Sequence, residues 1–213
     1  MVYALYDRDN KQIDLGNLQH RAVWYEHGVD RELVFISRYG KQLGVGINPE
    51  KTSNASAPDL MFEGNLADLK CQDTPFFFAG KLGVEPTYAV TFNLKDALNY
   101  GPWGRDYPGF HIFYWVDWVA VKMRRNSIDY TVEPLTGIWR IAYSKLEEAR
   151  HTSPIHWYSQ RNRFAETDPA QQRLLQAFEP RLKEGTTVWS IRGLGSNAAS
   201  SYVFDLRNFE RVQ

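Results

Sequence analysis

The sequence predicts a single mixed α/β (α+β) domain over residues 1–213, with a central mixed β-sheet flanked by helices. Three observations carry this. Residues 110–123, "FHIFYWVDWVAVKM", are too apolar and aromatic for a surface strand and belong inside a sheet. Strand-like and helix-like stretches follow one another along the chain without repeats or low-complexity tracts. Residues 58–72, "PDLMFEGNLADLKCQ", separate into one polar and one apolar face around a tight-turn signal.

Composition fits a globular domain, at 43% hydrophobic, 23% charged and 15% aromatic residues. No apolar run is long enough to span a membrane, and the start "MVYALYDRDNK" lacks the pattern of a signal peptide. Cys71 is the only cysteine, which excludes an intrachain disulfide and a thiol-rich zinc site. A cytoplasmic protein is the expectation. Net charge is zero, against a tail-driven nucleic-acid binder. Residues 1–119 nevertheless hold 11 Lys/Arg against 15 Asp/Glu, and residues 120–213 hold 14 against 10. That asymmetry suits a metal site beside a polyanion surface, and equally a mixed surface with chance unevenness.

In chain order, "YALYDRDNKQIDL" reads as a hairpin over Tyr3–Leu15. "LQHRAVWYEHG" reads as a helix stopped at Gly28, and Asp30 as the N-cap of "RELVFISRYG", closed by Gly40. "GINPEKTSNASAPD" is a polar linker. "TPFFFAG" and "PTYAVTF" read as strands, "NLKDALNYG" as a short helix from about Asn93, and "GPWGRDYPG" as a loop. "TGIWRIAY" reads as a strand entering the helix "SKLEEARH". Asp168-Pro169 caps and opens the helix "AQQRLLQAFEPRLKEG". "TTVWSIRG" and "SSYVFDLRNF" read as adjacent strands.

In "FEGNLA", taking Gly64-Asn65 as a two-residue turn sets Glu63 opposite Leu66, Met61 opposite Asp68 and Asp59 opposite Lys70. One face then carries Asp59, Met61, Glu63, Leu66, Asp68, Lys70 and Gln72, and the other Leu60, Phe62, Ala67, Leu69 and Cys71. In this register Asp59 and Lys70 stand ~5 Å apart at Cβ, with Asp68 on the diagonal at roughly 7–8 Å. Two carboxylates so placed can share a magnesium-sized ion, whose oxygen ligands lie ~2.1 Å away. The plain alternative is a solvent-facing hairpin with a surface Asp–Lys pair, worth about 0.5 kcal/mol.

Pro58-Asp59 followed by Asp68-Leu69-Lys70 resembles the signature of the PD-(D/E)XK nucleases, the restriction-endonuclease-like superfamily. The resemblance covers about residues 30–120 and leaves the rest as a C-terminal elaboration. It implies a core of helix, three-strand meander, second helix and fourth strand. It also implies hydrolysis of phosphodiester bonds dependent on Mg²⁺, with Mn²⁺ as a substitute. Asp59 and Asp68 would hold the ion with the Leu69 carbonyl, and Lys70 would orient water or stabilise nonbridging oxygens. Glu32, in the first helix, would assist the metal, and Gln72 would be a positioning group. Glu32 reads equally well as an exposed helix acid. The implied partner is nucleic acid, double-stranded DNA first, with no membrane. A homodimer is the common arrangement where both strands are cut, and no stretch marks an interface for one.

Other candidates are weaker. His20, His27, His111, His151 and His156 lack metal-site spacing. Cys71 falls on the apolar face and reads as a structural thiol. "RGLGSN", residues 192–197, reads as a turn, lacking the lysine of a phosphate loop. Lys122, Arg124, Arg125, Arg161 and Arg163 are candidate phosphate contacts or solvated surface charges. Trp103, Arg105 and Tyr107 read as a cover over a core edge, or as a base-stacking loop. The competing functional class is a non-catalytic module binding nucleic acid, another ligand or a protein.

Overall fold

In the computed structural model the described residues are 3–13, 31–54, 57–157, 166–167, 169–181, 189–190 and 200–213. Strands β1 (Tyr3–Tyr6) and β2 (Gln12–Ile13) form the expected N-terminal hairpin, as far as the described residues run. Helix α1 occupies residues 31–43, with a π turn at Ile36–Gly40, and is capped by Gly44 in the left-handed region. It therefore passes the expected stop at Gly40. Strands β3 (Val45–Ile47), β4 (Leu60–Phe62) and β5 (Asn65–Gln72) make an antiparallel meander. Then follow β6 (Ala89–Asn93), helix α2 (Leu94–Asp106) and β7 (His111–Asp117), which runs parallel to β5.

Beyond this lie the β8 (Lys122–Arg125) and β9 (Ile128–Thr131) hairpin, β10 (Thr136–Ala142), α3 (Tyr143–Arg150) and β11 (Ile155–Trp157). The last elements are β12 (Glu166–Thr167), α4 (Pro169–Phe178), β13 (Trp189–Ser190), β14 (Ser200–Asp205) and β15 (Glu210–Arg211). Among the described residues the main sheet has the order β15-β10-β7-β5-β4-β3. Smaller sheets are β2-β1-β8-β9, β11-β14-β6 and the pair β12-β13. The fold is mixed α/β around a mixed sheet.

The very apolar segment is central for the reason its composition gave. Residues 112–116 of β7 are all buried, between β5 on one side and β10 on the other. Phe113 and Trp115 face α1, whose fully buried Phe35 packs its ring 6.3 Å and 5.9 Å from theirs. Ile112, Tyr114 and Val116 face the opposite core, which includes Phe92, Leu94, Ala97 and Tyr143. Burial of a ring such as Phe35 stabilises the α1 face by about 2–3 kcal/mol.

The hairpin turn is Glu63-Gly64, not Gly64-Asn65. Phe62 pairs with Asn65 and Leu60 with Ala67. Glu63 and Gly64 have φ of 50° and 76°, the two left-handed residues of a type I′ turn, which favours glycine second. Each cross-strand partner therefore moves by two positions. Parity is kept, so the two faces keep their membership, but the residue opposite Asp59 is Asp68 rather than Lys70.

Further expectations are corrected. "TPFFFAG" forms no strand but leads into a 3-10 turn at Ala79–Leu82, and "PTYAVTF" becomes strand only from Ala89. Helix α2 runs through Gly101-Pro102 to Asp106, because Tyr100 and Trp103 pack against the core and hold the helix past its own breakers. Asn93 precedes it without a side-chain cap, its Oδ1 accepting from the Ser201 hydroxyl at 3.0 Å instead. Helix α4 stops at Phe178, where Pro180 disfavours helical geometry at Glu179. The C-terminal strands are not neighbours: β13 pairs with β12, while β14 lies between β11 and β6. The expected helix ending at Gly28, the caps Asp30 and Asp168, Arg161, Arg163 and the 192–197 turn lie outside the described residues.

Candidate functional site

The site forms just before β4 begins, where β5 continues past its pairing with β4. Beyond the Leu60–Ala67 pair the register sets Asp59 against Asp68, but Asp59 leaves the ladder. Its Oδ2 instead accepts the Leu69 N–H at 3.3 Å. In a strand the N–H and C=O of one residue point to the same edge, so the Leu69 carbonyl projects toward this gap as well. Buried Asn48 fixes the segment: its N–H donates to the Asp59 carbonyl at 3.0 Å and its Nδ2 to the Pro58 carbonyl at 2.8 Å.

Asp68 is 1% exposed. Its Oδ1 accepts from the Tyr100 hydroxyl at 2.9 Å. Its Oδ2 lies 3.0 Å from the Lys70 ammonium, close enough for an ion pair, yet it is buried with no aligned hydrogen bond. Lys70 directs its hydrogen bonds to Asp96 Oδ2 at 2.8 Å and to the Tyr100 hydroxyl oxygen at 3.2 Å. Asp96 and Tyr100 are four apart on α2 and so share the helix face that meets β5.

Burial alone would lower the Lys70 ammonium. The facing Asp68 and Asp96 carboxylates outweigh it and hold the group well above the ordinary lysine value. Burial, reinforced by Asp68, likewise keeps the Tyr100 hydroxyl protonated. Both groups are donors at neutral pH, and neither is a base. Cys71 is pushed up to about 12 by burial, with Glu32, Asp73 and Asp68 adding to the rise and Arg31 opposing it. The thiol thus feels carboxylates from both sides of the site and is a poor nucleophile.

Glu32 meets a cation that the sequence did not single out. Lys51 lies 2.8 Å from Glu32 Oε1 and also contacts Asp59 Oδ1. Gln72 is engaged elsewhere: its Nε2 donates to the Thr91 carbonyl at 2.8 Å, and its Oε1 accepts the Thr91 N–H at 3.3 Å. The carboxamide imitates a peptide unit and joins β5 to β6.

The expected residues therefore fall into two sets, Glu32 and Asp59 around Lys51, and Asp68 and Lys70 with Asp96 and Tyr100, joined through the Leu69 backbone, with Gln72 in neither. Among the described residues no three or more acidic, histidine or cysteine side chains converge as a ready metal cage. The donor set still fits a hard divalent cation, being all oxygen, with a buried carboxylate oxygen of Asp68 lacking a hydrogen-bond partner. Asn48, Lys51, Asp96 and Tyr100 escaped the sequence reading. An Asp and a Tyr one turn apart on α2 were the available signal for two of them.

Comparison of the chain with protein-family models, curated proteins and solved structures finds no match. Among the described residues no helix is long and apolar enough to cross a membrane.

Proposed function

We propose that the chain is a divalent-metal-dependent nuclease of the PD-(D/E)XK, restriction-endonuclease-like class, hydrolysing phosphodiester bonds in double-stranded DNA. The observation that carries this is the edge at Asp59, Asp68 and Leu69: Asp59 accepts the Leu69 N–H, and Asp68, next to Leu69 in the strand, has a buried oxygen lacking a hydrogen bond. The order α1, β3–β4–β5 meander, β6, α2, then β7 parallel to β5 supports the reading, since it contains a helix, a three-strand meander, a second helix and a further strand in the sequence that the signature implies.

Asp59 and Asp68 would hold Mg²⁺, or Mn²⁺ in its place, with the Leu69 carbonyl. When bound, such an ion acidifies a water and offsets charge on the phosphoryl oxygens. Lys70 stays protonated and donates to a nonbridging phosphate oxygen or to the attacking water, adding electrostatic stabilisation. Tyr100 fixes the Asp68 carboxylate through its hydroxyl. Gln72 acts on position only, by holding β5 against β6.

The test is calorimetric titration of Mg²⁺ and Mn²⁺ into the wild type and into Asp68→Asn. Binding by the wild type that weakens at least about tenfold in the variant, roughly 1.4 kcal/mol, supports the reading. Equal binding by both proteins, or none by either, contradicts it.

A further inference from the structure

Lys51 belongs to none of the signature positions, yet it contacts both Glu32 and Asp59. It sits in the 3-10 turn Pro49–Thr52, which Asn48 caps by accepting the Glu50 N–H on Oδ1 at 3.1 Å. The same asparagine binds the Pro58 and Asp59 carbonyls. One buried side chain thus registers the lysine-bearing turn against the carboxylate-bearing segment. Lys51 is also mostly buried, with 21% of its side chain exposed, unlike an ordinary solvated lysine.

The charge balance gives this placement a meaning. Four carboxylates, Glu32, Asp59, Asp68 and Asp96, face two ammonium groups, Lys51 and Lys70. The surplus is two negative charges, which a single divalent cation neutralises. A second ion between Glu32 and Asp59 would have to stand where the Lys51 ammonium already bridges them.

We infer that Lys51 is a resident cation occupying the position of a second metal ion, so that the site takes one divalent ion and Glu32 serves Lys51 rather than that ion. This rests on the metal-site reading above. It makes Lys51 a positioning residue, holding Asp59 by one oxygen while Leu69 holds the other.

The experiment is Mn²⁺ titration of the full chain, with free ion read by electron paramagnetic resonance. The proteins are the wild type, Lys51→Ala, Glu32→Gln and the double variant, each checked for native circular dichroism. The wild type is expected to bind one ion, and Glu32→Gln one ion with affinity within about threefold. Lys51→Ala should gain a second ion at roughly millimolar concentration, and the double variant should lose it again. If Lys51→Ala does not fold, the Glu32→Gln affinity still decides, because a tenfold loss there would make Glu32 a ligand of the first ion. Two ions in the wild type, or one in a folded Lys51→Ala, overturns the inference and leaves the metal site standing. No binding by any of the four proteins removes the metal-site reading, and this inference with it.

Discussion

Asp68 and Tyr100 are joined by a 2.9 Å hydrogen bond that fixes one oxygen of a buried carboxylate while the other lies beside Lys70. The contact couples β5 to α2 and sets the direction in which the second oxygen faces. Tyr100→Phe removes the hydroxyl and keeps the ring packing against Phe110 and Tyr143. The expected loss of stability is about 1.5–3 kcal/mol, the range for a hydrogen bond to a charged group. Urea unfolding measures it, and a change below about 0.5 kcal/mol would show that the contact does not hold the carboxylate.

Lys70 gives a pH dependence with a definite sign. Its folded value is raised above the unfolded one, so its contribution to stability is fully present below the unfolded value, about 10.4, and is lost as pH rises through the still higher folded value. Thermal unfolding of the wild type and Lys70→Met should therefore differ by a constant amount from pH 7 to pH 9. The difference should shrink only at strongly alkaline pH. A gap that closes near neutrality would mean that Lys70 is not held by Asp68 and Asp96.

The hairpin turn carries strain that a single substitution can relieve. Glu63 occupies the left-handed region at φ 50°, where a side chain other than asparagine or glycine is disfavoured. Glu63→Asn creates the Asn-Gly pair favoured by a type I′ turn and should stabilise the chain by about 0.5–1 kcal/mol. Were Gly64-Asn65 the turn instead, the substitution would fall on a strand residue, and stability would stay level or fall.

Helix α2 depends on Gly104, because a Cβ there would lie 2.3 Å from the ring of buried Tyr143. That ring cannot retreat freely, since its hydroxyl donates to the Ala97 carbonyl at 2.9 Å. Gly104→Ala should cost about 1–3 kcal/mol by overpacking, read as a lower melting temperature. An exposed loop at this position, as the glycine- and proline-rich sequence suggested, would tolerate alanine without loss.

These cases show where the sequence was legible. The hairpin faces are the same for a turn at Gly64-Asn65 and for the actual turn at Glu63-Gly64, because moving partners by two residues preserves side-chain parity. Strand β7 could be placed centrally because both of its faces are apolar, and only a covered strand tolerates that. The local breaker signals at Gly101-Pro102 predict a shorter α2 than the one that forms, because aromatic burial on one side outweighs them and no local pattern reports it. The contact of Lys51 with Glu32 and Asp59 was hidden for a similar reason. A lysine in a polar turn segment has no periodicity to mark it, and its partners are 19 and 8 residues away. Gln72 matched a motif position, yet its carboxamide is spent on the Thr91 backbone, a partner that depends on how two sheets meet.

The most direct test of the central claim is cleavage of supercoiled plasmid and of labelled single strands by the wild type and Asp68→Ala, with EDTA, Mg²⁺ or Mn²⁺. The wild type is expected to nick or linearise the plasmid only with a divalent ion, and Asp68→Ala is expected to leave it intact. Cutting that persists in EDTA, cutting retained by a folded Asp68→Ala, or no cutting with either metal would contradict it.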